Sequence, residues 1–392
     1  MSTAIIIGAG IGGLVSAIAL QQQGWHVTIL ERQPQQPTTG AGISLWPNAL
    51  RALAHLDLAQ PILERSCVSR DGGIHLPDGR PLVIARLADV MATYGFPTVV
   101  VHRAILNDIL LAALHTPPIY AKQVIDYQQH ATAVTAHCSD GSAYTADLLI
   151  VADGILSSIR QAWFPHLSPH YLGYTAWRGI CYFDHDQIGT RWGEWLGKGI
   201  RFGITPLADG QIYWFATQNQ AEHQMVAPHE RQDYLLRLFA GWAEPIARII
   251  RATPSAGILQ HDIHQLPALP YWIDGRVALL GDAAHAMSPN LGQGGCQAIE
   301  DALTLAHALR LHTDVPTALQ RYQDERKPYG EKIARASYQA GRILTVAHPM
   351  LCALRNFLLR MVPVAAAQRQ LHPLLSHDTE LLAIYDSAGA GR

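Results

Sequence analysis

The opening stretch constrains this chain more than any other. An apolar run, Ala4-Ile5-Ile6-Ile7, leads straight into Gly8-Ala9-Gly10-Ile11-Gly12-Gly13, and an apolar stretch at helical spacing follows from Leu14 to Leu20. After Gly24 comes a second strand-like run, Val27-Thr28-Ile29-Leu30, ending on Glu31 and Arg32. Glycines at this spacing are common in sequences; the strand before them and the helix after them give the pattern meaning. Together they form a β-turn-α-β unit, which commits the chain to an α/β fold with a parallel sheet. Gly8, Gly10, Ile11, Gly12 and Gly13 let backbone approach a pyrophosphate at the positive end of a helix. Glu31, at the tip of the second strand, is placed to accept from a ribose hydroxyl.

Two later segments repeat the design of an apolar strand that delivers an aspartate at its carboxyl end. Asp147-Leu148-Leu149-Ile150-Val151-Ala152-Asp153-Gly154 is one, and Arg276-Val277-Ala278-Leu279-Leu280-Gly281-Asp282 is the other. Ligands of open α/β sheets sit beyond the carboxyl ends of strands. Each aspartate taken singly reads as a turn or helix-cap residue; the ordered set of three motifs points to a dinucleotide.

Composition narrows the partners. At 392 residues, 49% hydrophobic and 15% charged, the chain is long enough for two or three domains with a substantial core. A net charge of −2 with no long basic run argues against nucleic acid. The five cysteines are widely spaced and form no Cys-x-x-Cys pair, the pattern of reduced thiols, so the expected location is cytoplasmic. No apolar run reaches the roughly 18 residues of a membrane span. His261-x-x-His264 lies in strand-like sequence without a third ligand, so no metal site is expected.

In order and spacing, the three motifs resemble the FAD-dependent aromatic hydroxylases typified by para-hydroxybenzoate hydroxylase. The resemblance extends to Gly40-Ala41-Gly42-Ile43 and Trp46-Pro47-Asn48, similar to the loop passing the isoalloxazine ring, and to Arg103, similar to an arginine that reaches the FAD phosphates. Val124 falls where the backbone meets adenine, and Pro289, Gly292, Gly294 and Gly295 match the loop beneath the flavin. The resemblance implies tightly bound, non-covalent FAD, NAD(P)H as a transient co-substrate, and O2. It also implies hydroxylation of a small aromatic molecule through a flavin C4a-hydroperoxide, by a monomer or homodimer.

The expected organisation is a discontinuous Rossmann-like FAD-binding domain (1–70, 97–170 and 270–330) and an antiparallel-sheet substrate domain of α+β type (71–96 and 171–269). C-terminal helices (331–392) are expected to pack on the FAD domain. A hairpin is predicted over 72–84, a helix over 103–114, a second hairpin over 132–146, and strands at 174–183, 201–206, 211–217 and 257–265. Pro328 and Gly330 are expected to break a helix that begins near Pro316. The tail at 343–359 and 364–375 mixes apolar and basic residues at helical spacing; packing on the FAD domain is the preferred reading, and a basic amphipathic helix on a membrane surface is the alternative.

Arg201, Tyr213 and Asn290 are the candidate catalytic residues. Arg201 is suited to pair with a carboxylate or phenolate-like substrate. Tyr213 is suited to hydrogen-bond a ring hydroxyl. Trp177, Arg178, Trp195, Phe202, Trp214 and Phe215 lie near them in sequence. Arg201, Pro206, Tyr213 and the Gly292–Gly295 run are similar to pocket positions of FAD-dependent urate hydroxylases, which carry an aspartate where this chain has Asn290. That departure weighs against urate. The alternatives are an FAD oxidoreductase of the same fold without oxygen insertion, reductase-like or halogenase-like, a urate hydroxylase despite that departure, or a flavin-free binding protein.

Overall fold

Ile7, Leu30, Val151 and Leu279, the last residues of four parallel strands, stand level across one sheet: Ile7 pairs with both Leu30 and Val151, and Val151 with Leu279. The strands are Thr3–Ile7, His26–Leu30, Leu148–Val151 and Val277–Leu279, with the short Ile273–Asp274 antiparallel at one edge. The computed structural model describes residues 1–36, 41–69, 71–85, 87–189, 191–362 and 374–375. The runs Ala4–Ile7 and Leu148–Val151 are buried at every position, which explains why they read as unbroken apolar strings. Helix Ile11–Gln22 and helix Gly294–Leu311 pack on each other, and the latter is buried along nearly its whole length.

A second, seven-stranded sheet runs in the order Leu259–Gln265, His170–Tyr182, Gln211–Asn219, Ile200–Pro206, Gly193–Leu196, Gly72–His75 and Pro81–Ala85. Residues 72–85 thus form a hairpin that joins strands from far downstream. Strand Gly193–Leu196 is absent from the sequence reading, and it pairs parallel with Gly72–His75 in an otherwise antiparallel sheet. One face of this sheet is apolar. Trp177, Trp195, Phe202 and Trp214 fill a core with Leu235 and Phe239 of the Arg231–Leu238 segment and with Ile246, Ile249 and Ile250 of Ile246–Ala252. Those four aromatic residues therefore serve packing and do not line a pocket.

Two expectations about the C-terminal third are corrected. Helix Val315–Leu344 runs unbroken through Pro328 and Gly330, so no boundary falls at Glu331. Asp324, whose carbonyl loses its usual donor to the proline, is exposed, as is Pro328, so water can satisfy it. On the opposite side Tyr322, Arg326, Tyr329 and Ile333 are buried, and this packing outweighs the local break signal. Gly330 is there for close approach: a Cβ on it would meet Trp272 at 2.9 Å and His285 at 3.3 Å.

The last described helix, Pro349–Met361, packs against strand Pro81–Ala85 of the seven-stranded sheet rather than against the parallel sheet. The helix expected over 364–375 lies outside the described residues except for Leu374 and Leu375, which are buried beside Tyr329 and Ile333. Gly40 also lies outside them.

Candidate active site

The level rim of the parallel sheet carries the predicted nucleotide residues. Gly8 has a φ of +100°, and a Cβ on it would lie 2.5 Å from the carbonyl oxygen of Ala152, so the first turn must pass tight against the neighbouring strand. A Cβ on Gly10, by contrast, would meet nothing within 4 Å; the space above it is open. Gly10 caps helix Ile11–Gln22 without a side-chain hydrogen bond, leaving the first-turn amides facing that space. Glu31 accepts from the Ala9 amide at 2.7 Å through one oxygen and from the Gln33 amide at 2.8 Å through the other. Each oxygen keeps a lone pair for a further donor.

Asp153 and Asp282 occupy the other strand ends. Asp153 Oδ1 is buried without a hydrogen-bond partner, and burial raises its pKa against the pull of the Ser157 hydroxyl. The positive charges of Arg160 and Arg32 also bear on it. Asp282 lies deep inside the protein's envelope yet remains open to solvent, the position of a cleft floor. Burial raises its pKa too, with His285 and Arg103 pulling the other way. A Cβ on Gly294 would come 4.0 Å from Asp282 Oδ1, which sets the aspartate beside the start of helix Gly294–Leu311. That start has no side-chain cap either. Ile11 and Ile43 both approach Gly295, so the glycine turn, strand Gly42–Leu45 and the Pro289–Gly295 loop converge on one cleft. Arg103 opens helix Arg103–Ala112 at its edge, and Val124 is buried at the start of strand Val124–Gln129.

The second face of the seven-stranded sheet borders this cleft. Strand alternation and register put Tyr174, Arg178, Glu194, Arg201, Tyr213, Phe215, Thr217 and His261 on it. The Tyr213 side chain packs against Gly42, where a Cβ would sit 2.6 Å from its Cγ. Burial raises the Tyr213 phenol's pKa, with the positive charge of nearby Arg178 pulling the other way, so the hydroxyl keeps its proton and can donate.

Arg201 and Asn290 meet directly. Arg201, 2% exposed, donates from Nε to Thr217 at 3.1 Å and from Nη2 to Asn290 Oδ1 at 2.8 Å. Its Nη1 makes no hydrogen bond and lies 3.5 Å from a Glu194 carboxylate oxygen. Asn290 Nδ2 in turn faces the Tyr174 hydroxyl, Ser288 Oγ and the Ser337 carbonyl oxygen at 3.1, 3.0 and 3.2 Å. Arg201 is thus a charge-balanced tie between the sheet and the Pro289–Gly295 loop. Tyr213 lies apart, four residues along its strand from Thr217, the Arg201 partner.

Sequence reasoning missed a buried ionic network under the cleft. Asp301 accepts from His285 Nε2 at 2.5 Å and from Arg326 Nε at 2.7 Å, and Arg326 Nη1 also meets Glu300 at 2.9 Å. Glu300 holds Asn48, which reaches Gln293 at 3.1 Å, so the network supports the loop at the cleft floor. Despite burial, the positive charges of His285 and Arg326 hold the Asp301 carboxyl down at about 2. A legible signal did exist: Glu300-Asp301 is an acidic pair inside an otherwise apolar helix. His261 and His264 fall on opposite faces of their strand, so they cannot share an ion.

Against known proteins, the family model described as FAD binding domain matches residues 1–168 and 209–337. The chain belongs to the FAD binding domain family. It is 37% identical over 361 residues to aurachin C monooxygenase/isomerase of Stigmatella aurantiaca, covering 92% of this chain and 94% of that protein. It is 34% identical over 333 residues to an FAD-dependent urate hydroxylase of Klebsiella pneumoniae subsp. pneumoniae, covering 82% and 85%. The structure of Klebsiella pneumoniae HpxO complexed with FAD and uric acid superposes with a TM-score of 0.89 at 29% identity, over 96% of this chain and 97% of that one. The chain is accordingly an FAD-dependent monooxygenase of the aromatic hydroxylase family.

The cleft fits that cofactor on its own evidence. An orphaned carboxylate oxygen on Asp153, open space over Gly10, two uncapped helix starts and a solvent-open Asp282 deep in the fold together suit a phosphate-bearing polyol.

Proposed function

We propose that this monooxygenase takes electrons from NAD(P)H and inserts one oxygen atom from O2 into an aromatic or heteroaromatic small molecule. In this reading Gly8, Gly10, Ile11, Gly12, Gly13 and Arg103 hold the FAD pyrophosphate, Glu31 and Arg32 its adenosine ribose, and Val124 its adenine. Asp153 and Asp282 hold the remaining polar groups, and Gly42, Ile43, Pro289, Gly292, Gly294 and Gly295 flank the ring. Residues 1–70, 97–170 and 270–330 form the cofactor unit, and 71–96 with 171–269 form the substrate unit.

Bound flavin supplies the activation of O2 and the oxygen transfer itself. The chain's own part is to position and to exclude water. The amides at the start of helix Gly294–Leu311 point toward the cleft and stabilise negative charge there. Tyr213, protonated and with the Arg178 charge nearby, donates a hydrogen bond to an acceptor atom on the substrate ring. Arg201 acts through Asn290, fixing the loop's distance from the sheet.

The observation that carries the substrate class is the charge balance at Arg201. Its positive charge is met by Glu194 at 3.5 Å, so this position presents no lone cation to an anionic substrate. A neutral ring such as a phenol or quinolone suits it. Likeness to urate hydroxylase favours urate as a second reading, and Asn290 weighs against it because an amide cannot serve as a base. The deciding experiment incubates the flavin-loaded enzyme with phenols, quinolones and purines and follows stimulated NAD(P)H oxidation and product mass. A product heavier by one oxygen supports the proposal; stimulated oxidation with no oxygenated product from any class rejects it.

A further inference from the structure

Helix Pro349–Met361 is built inside out. Its buried side chains are Cys352 and Arg355, and Arg355 fastens it by donating to the carbonyls of Leu344 at 3.1 Å and Gly197 at 3.2 Å. The face turned away from the protein carries Met350, Leu351, Leu354, Phe357, Leu358 and Met361, each between 53% and 76% exposed. At 100° per residue these six fall within a single arc of about 120°, the width of an apolar helix face that ordinarily meets a core. A contiguous apolar stripe of this kind on a surface marks a docking site.

Charge identifies what docks. From Lys332 to His377 the sequence contains no Asp or Glu, in a chain whose acids otherwise outnumber its cations. Lys332, Arg335, Arg342 and Arg360 in that stretch are exposed. An apolar helix face in a stretch whose only charged side chains are Lys and Arg suits the boundary between headgroups and acyl chains of an anionic bilayer, into which such a helix sinks by about 5–10 Å. No described helix is long and apolar enough to cross a membrane, so the contact lies in the surface plane. We propose that Pro349–Met361 is an interfacial helix that docks the enzyme on an anionic membrane surface. Its anchor at Gly197 directly follows the strand that carries Glu194, so the docked face lies beside the substrate side of the fold. The inference rests on the helix and stands or falls separately from the substrate reading.

The test is co-sedimentation of the full-length, FAD-loaded enzyme with two vesicle preparations: pure phosphatidylcholine, and phosphatidylcholine carrying about 30 mol% phosphatidylglycerol. Binding to the anionic vesicles is expected to exceed binding to the neutral ones by about tenfold and to weaken at high salt. The L354E/F357E double variant, altered only at exposed positions, should keep its flavin content and melting temperature while losing about tenfold or more of vesicle binding. Arg360→Glu should lose less. Equal sedimentation of wild type and the double variant overturns the proposal, as does no binding of wild type to either vesicle. Light scattering that shows a dimer converted to monomer by the double variant, without vesicle binding, assigns the face to a second copy and likewise overturns it.

Discussion

Arg201, itself buried, donates to Asn290 at 2.8 Å across the junction of the seven-stranded sheet and the Pro289–Gly295 loop. The bond specifies an amide. Asn290 needs an acceptor toward Arg201 and a donor toward the Ser337 carbonyl at 3.2 Å, and one carboxylate cannot supply both. Asn290→Asp should therefore cost about 1–3 kcal/mol in denaturant unfolding and gain no urate oxidation. A variant as stable as wild type would falsify this account of the amide. Gly341 backs the same side chain so closely that a Cβ would displace Asn290 Nδ2. Gly341→Ala is thus expected to lower substrate-stimulated NAD(P)H oxidation while FAD stays bound.

Asp282→Ala removes the carboxylate from the cleft floor. Losing a charge-assisted hydrogen bond worth about 1.5–3 kcal/mol weakens FAD about 10- to 100-fold. Flavin absorbance after exhaustive dialysis reports it directly, and full retention of the yellow chromophore contradicts the assignment.

Glu194→Gln leaves Arg201 without its counter-charge. The ratio of kcat/KM for a ring carboxylate over its neutral analogue should rise about tenfold, roughly 1.4 kcal/mol. A ratio that does not move removes Glu194 from substrate selection.

The Asp301 network sets an acid limit. Its folded pKa of about 2 lies below the ordinary carboxylate value, so its contribution to stability is complete above about pH 4. It is lost as the pH falls through that window toward 2, and the loss amounts to roughly 2 kcal/mol. Asp301→Asn breaks the buried pairs with His285 and Arg326, leaving Arg326 its pair with Glu300, and should cost about 3–5 kcal/mol at neutral pH. Urea midpoints between pH 2 and 7 for wild type and variant are the measurement. Parallel curves for the two would dismiss Asp301 as the source.

The nucleotide cleft was legible because its parts are local: strand, glycine turn and terminal acid follow one another in the chain, as at Ile7, Gly8 and Glu31. The seven-stranded sheet was less so. Arg201 and Tyr213 were found as residue types, but which neighbours share their face depends on register across distant strands. That register turns Trp177 and Trp214 into core while placing Arg178 and Glu194 at the cleft. The unbroken helix past Pro328 was hidden for a related reason, since its support is tertiary and the proline's signal is local.

The division of the cleft between the two ends of the chain has a temporal side. During synthesis the glycine turn emerges first, and Asp282 with the Gly292–Gly295 loop appears only after every strand of the seven-stranded sheet has been made. The clamp formed by Asp301 and Arg326 comes later still. A nascent chain consequently carries half a flavin site for most of its translation. Both halves of the cleft are present only once the later half of the chain has been made. A cofactor that binds the folded cleft ties those first and last segments together by mass action.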